Sequence, residues 1–211
     1  MTKRKTIYTI LAVVLVCCIA VAGTLAYLTA KTTEEVKNTF TASSPKLVGE
    51  FDLKEHVATA DAKGVYSLSK TELTNSNSYK VLPGVNLPKD PFISISGKTE
   101  VASYLYVEVV DNLGANSGLS YALTSDWTKL ELKGANGGDV YVYQNGLLIT
   151  DKNAPTTVSI LKGNVVTVGQ DVNVGEDGVD ITFYGYMAQA SAGADAAAAY
   201  TACFNNTTEG E

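Results

Sequence analysis

VASYLYVEVVD, residues 101–111, alternates two sets of side chains: Tyr104, Tyr106, Glu108 and Val110 on one side, Leu105, Val107 and Val109 on the other. That is the period of a β-strand, and apolar or aromatic residues on both sides mark one at the centre of a sheet. The pattern recurs outward from it. Leu47, Gly49, Phe51 and Leu53 oppose Lys46, Glu50, Asp52 and Lys54, as in a half-buried strand. Further strands are expected over residues 65–68, 91–95, 120–123, 127–132, 139–143, 157–161, 165–168 and 179–188. Turn formers separate them, among them DNLG at 111–114, GANGG at 134–138 and EDG at 176–178. In VYVYQNGLLIT, residues 140–150, Asn145-Gly146 lies between two apolar-rich runs and is expected to make a type I′ hairpin turn.

Short strands at this spacing, rich in Val, Ile, Tyr and Thr, define an all-β chain, a jelly-roll/Ig-like β-sandwich, rather than an alternating α/β fold. The exception is ADAAAAYTACF, residues 194–204, where alanine favours one short C-terminal helix that starts near Gly193 and caps one end of the sandwich. At 211 residues, 45% of them hydrophobic, the chain can bury one sizeable core.

The first 26 residues have the parts of a secretory signal: Lys3, Arg4 and Lys5, an apolar run from Ile7 to Ala22, and the small-residue exit Thr24-Leu25-Ala26. Cleavage is expected between Ala26 and Tyr27; a retained membrane anchor is the alternative, since the run is long enough to span a bilayer. The chain then divides into a signal peptide (1–26), a polar Thr-rich leader (27–44), a β-sandwich domain (45–205) and a polar tail (206–211). Losing three bases and no acid takes the formal charge from −6 to −9. Such an acidic surface argues against nucleic acid and anionic lipid as partners, so the membrane enters only through the signal segment. Of the three cysteines, Cys17 and Cys18 lie in the signal, which leaves Cys203 with no intramolecular disulfide partner and the expectation of a buried thiol.

Candidate chemistry is sparse. His56 is the only histidine. It cannot assemble a two-histidine zinc motif, and no nucleophile motif accompanies it, so it is expected on the solvated surface. Asp171, Glu176, Asp177 and Asp180 are oxygen donors without the spacing of a calcium loop, and read as a solvated loop. Trp127 is expected in a strand core or at its edge rather than as a sugar platform. Tyr141 and Tyr143 are candidates for an exposed adhesive surface. No catalytic residue, cofactor or metal is expected.

Gly23-Thr24-Leu25-Ala26-Tyr27-Leu28-Thr29, followed by Asn38-Thr39-Phe40-Thr41-Ala42, resembles the export signal read by the SipW-type signal peptidase. Val81-Leu82-Pro83-Gly84 with Lys89-Asp90-Pro91, the aromatic strand at 103–109, and the strand ITFYGYMAQA at 181–190 before an alanine-rich helix resemble landmarks of the TasA/camelysin family. The resemblance implies a secreted jelly-roll domain at the bacterial cell surface or in the biofilm matrix. Its fibre-forming members imply head-to-tail homopolymers, possible contacts with other matrix proteins, and assembly by donor-strand addition. The implied donor is the leader, with Thr39, Phe40 and Thr41 at its centre. Camelysin-like relatives imply a surface metalloprotease as one alternative, and a monomeric adhesin or accessory matrix-binding protein is another. Residues 57–79 depart from the family pattern and read as an insertion or an extra hairpin.

Overall fold

The computed structural model describes residues 29–31, 50–97, 101–150, 152, 154–175 and 177–205. Every strand pair among them is antiparallel, and the strands make an all-β sandwich with one short C-terminal helix.

The large sheet has the order β1 (Thr29–Lys31), β12 (Ile181–Gln189), β6 (Ser103–Asp111), β9 (Asp139–Tyr143), β8 (Trp127–Lys133). The segment 101–111 therefore supplies the central strand, as its two-sided pattern requires. Opposite it lies the order β10 (Thr157–Ser159), β5 (Phe92–Ser96), β2 (Glu50–Ala60), β3 (Tyr66–Thr74). A third set, β4 (Leu87–Pro88), β11 (Val165–Val168), β7 (Leu119–Ser120), continues the sandwich.

Pairing register sorts side chains into two cores. Phe183 stands opposite Val109 and Met187 opposite Leu105, so one parity of β12 and β6 faces inward with Val107. These residues pack with Phe51, Leu53, Ile93, Ile95 and Val158 from the second sheet and with Leu87, Val166 and Val168. Burying each such side chain contributes about 1.5–3 kcal/mol against the exposed state. The other parity, Tyr106 opposite Tyr186, faces outward and would lie in water if nothing covered it.

The C-terminal helix covers it. Asp195 caps α1 (Ala196–Tyr200) by accepting the Ala198 N–H at 2.8 Å, and a wider helical turn continues over Thr201–Asn205. Tyr200 and Phe204 then pack on Tyr106, Tyr186, Val140 and Val142. The helix thus lies on the outer face of the large sheet instead of capping one end. Gly193 leads into it, and a Cβ there would overlap the backbone of Ala198 and Ala199.

Of the two readings of residues 57–79, the structure shows the extra hairpin: β2 runs on to Ala60, Asp61 organises the turn by accepting the Val65 N–H at 2.9 Å, and β3 returns. The turn at 140–150 forms one residue early. Gln144 and Asn145 carry the two positive φ angles, 43° and 57°, and the Gly146 N–H bonds to the Tyr143 carbonyl at 3.0 Å. No hairpin follows, because Ile149 bridges to Ser103 of β6.

Candidate functional site

The two sides of the large sheet are treated differently. On one side, β8 carries Lys129, Glu131 and Lys133 at its solvent-facing positions, a charged edge that discourages added strands. Lys129 and Lys133 both bond Asp139 of β9 at 2.7 Å, which holds that carboxyl below the usual range.

On the other side, β1 pairs with only three residues of β12: Thr29 with Ala188, Ala30 with Met187, Lys31 with Tyr186. Thr29–Lys31 belong to the stretch expected to be a free leader, and they form an edge strand of the same chain. Among the described residues the pairing on that side of β12 covers Tyr186, Met187 and Ala188.

A cleft of about 610 Å³ opens at this edge, lined by Ile181, Thr182, Leu87, Val166, Glu55 and Lys89 among others. Its polar floor comes from local alternation. Phe51, Leu53 and Glu55 share one parity of β2, so Glu55 points inward with the core residues and is fully buried. Lys89, just after β4, reaches it with Nζ at 2.9 Å from Glu55 Oε2, while Glu55 Oε1 has no hydrogen-bond partner among the described residues. The next residue of each segment makes a second contact. His56 Nδ1 lies 2.6 Å from Asp90 Oδ2, and the His56 N–H donates to Asp90 Oδ1 at 3.0 Å. His56 is therefore half-buried and paired, against the expectation of a solvated side chain. The Lys89-Asp90 step clasps β2 by the Lys89–Glu55 ion pair and the two His56–Asp90 contacts. Tyr79 lines the same cleft, donates to the Pro88 carbonyl at 2.6 Å, and is pushed well above the usual tyrosine range by burial and then by the nearby Glu55 charge.

Ala26 and Tyr27 of the cleavage site, and Thr39, Phe40 and Thr41 of the expected donor, lie outside the described residues. So does Glu176 of the acidic loop. Among the described residues no three His, Cys, Asp or Glu side chains are grouped to hold a metal ion, and no helix is long and apolar enough to cross a membrane. Trp127 is in the core, its Nε1 donating to the Ser159 carbonyl at 2.9 Å and its ring edge-on to Tyr143. Tyr143 is accordingly buried and unsuited to an adhesive surface, whereas Tyr141 is half-exposed and lines a broad depression of about 820 Å³ with Tyr121 and Asp111. Cys203 is half-buried against the outer core, and burial pushes its thiol up to about 11.

Sequence reasoning did not single out Glu55. An acid at the third inward position after Phe51 and Leu53 was the available signal. Comparison with protein-family models, curated proteins and solved structures gives no match.

Proposed function

We propose that this chain is an exported structural subunit of an extracellular fibre or biofilm matrix, of the TasA/camelysin kind, that assembles by strand addition at the β12 edge. One observation supports the reading: Thr29–Lys31, within the expected leader, pair antiparallel with Tyr186–Ala188 of β12, so the leader can form a strand that this flank of the large sheet accepts. The same pairing made by a neighbour's leader, in place of the chain's own, is strand addition. The signal-like residues 1–26 supply export, with cleavage after Ala26 freeing the leader, and Phe40 is the side chain best suited to fill an apolar pocket.

Electron microscopy and size-exclusion chromatography of the mature protein, beside a form lacking residues 27–44, test the proposal. Filaments are expected from the first and monomers from the second. Filaments that form equally well without the leader overturn it. The competing reading, a monomeric adhesin, is favoured by the depression around Tyr141, and it predicts a stable monomer with saturable binding to a glycan or a host protein.

A further inference from the structure

The Glu55 side chain is fully buried, lines the cleft beside β12, and has one oxygen bonded to Lys89 and one with no hydrogen-bond partner among the described residues. A buried acceptor left unmet destabilises the fold, more so when it is charged, so a group that reaches it is bound with that advantage. The described lining holds three carboxylates, Glu55, Asp177 and Asp180, against one ammonium, that of Lys89. Asp177 and Asp180 are exposed and stand at the open side. The walls are apolar, with Leu87, Val166, Leu113 and Leu119.

We propose that this cleft binds a primary ammonium group on an alkyl chain, with the free oxygen of Glu55 as the principal acceptor. The methylene stem lies along the apolar walls and the charged head meets the carboxylates, the division that lysine side chains make at protein surfaces. An anion is opposed by the surplus of carboxylates. A guanidinium finds only one free oxygen on Glu55, half of the bidentate pairing it favours. A metal ion lacks its ligand set, since the described acids are not grouped for one. Lys89 opposes a second cation, and Asp177 and Asp180 supply the countercharge that offsets it. This inference stands whether or not the chain forms filaments, because it concerns the floor of the cleft and not the backbone edge.

The test is calorimetric titration of the purified protein with 1,5-diaminopentane at low ionic strength, beside 1,5-pentanediol, which has the same stem and no charge. Saturable binding of the diamine alone is expected, weakening as salt is raised. Glu55→Gln should lower its affinity about tenfold or more, the loss of one hydrogen bond to a charged acceptor. Glu55→Gln leaves Lys89 without its partner, so the double variant Glu55→Gln with Lys89→Met, in which neither group is charged, and the surface variant Asp177→Asn read the same loss in folded protein. Equal heats for diamine and diol, or undiminished diamine affinity in the folded Glu55 variants, overturn the proposal and leave an ordered water as the occupant. Sedimentation with excess diamine separates the sources of the ligand. Dissociation of oligomers assigns the site to a lysine of a second copy, and an unchanged oligomeric state with saturable binding assigns it to a soluble amine.

Discussion

Tyr186 donates to Glu108 at 2.7 Å, a hydrogen bond between neighbouring strands of the large sheet, fully buried beneath the C-terminal helix. The same carboxylate accepts from the Asn136 and Gly138 N–H groups at 2.8 and 2.9 Å, from Asn136 Nδ2 at 3.0 Å, and from Tyr200 at 3.4 Å. One side chain thereby ties the β8–β9 turn, β12 and the helix together. Glu108→Ala leaves several of these donors buried and unmet, and a loss of about 3 kcal/mol or more is expected in urea unfolding. Glu108→Gln keeps the shape but must aim an amide N–H at other donors, and should cost less, about 1–2 kcal/mol. Gly134→Ala should mimic the larger loss, because a Cβ there overlaps the Glu108 carboxylate.

The tyrosines give the protein an alkaline limit. Burial first, and then nearby Glu108, Asp111, Glu55 or neighbouring phenols, raises Tyr186, Tyr106, Tyr200, Tyr121 and Tyr79 well above the usual range. Above a pH of about 10 the unfolded chain loses phenolic protons that the folded chain keeps, so stability is intact below that pH and falls as pH rises past it. A spectrophotometric titration should show these residues silent past the ordinary tyrosine step, then ionising together as the fold is lost. Smooth titration of all 12 tyrosines near pH 10 would contradict this.

At the acidic end, Asp139 behaves oppositely. Its carboxyl is held low, first by the Lys129 hydrogen bond and then by that of Lys133. A depressed folded value contributes stability above the unfolded value near 3.9, which is lost as pH falls through the lower folded value. Asp139→Asn should therefore be less stable than the parent at pH 7, with the gap closing as pH falls below the unfolded value. The pair is exposed, so the gap should be small and should shrink with salt.

Trp127, the only tryptophan, reports the join between the sheets, because it stands on β8 and its indole bonds a carbonyl of β10. Emission should be blue-shifted in the folded protein and move red in one step with unfolding. Trp127→Phe removes the indole donor and leaves the Ser159 carbonyl unpaired, which should cost about 1–2 kcal/mol.

Most of the fold was legible because strand parity is a local signal. Residues 101–111 announced a central strand by being apolar on both sides, and residues 139–143 and 165–168 were bounded correctly for the same reason. What escaped was set by distant contacts. The two residues of β4 carry a proline and no alternation, and only β11 makes them a strand. Asn145-Gly146 has the composition of a hairpin turn, yet Ile149 finds Ser103 of another strand and draws the chain away. Tyr106 and Glu108 showed which face they shared, but not that a helix some ninety residues later would bury it. The candidate site was half legible. Lys89 and Asp90 stood out as a motif, while their meaning depends on Glu55 and His56, each 34 residues away.

Among the described residues the large sheet ends in the charged strand β8 on one flank and in the short strand β1 on the other. The two flanks of the sheet therefore differ, and a contact that joins one flank to the other brings unlike surfaces together. An assembly that used this sheet in the proposed way would therefore be polar, with unlike ends.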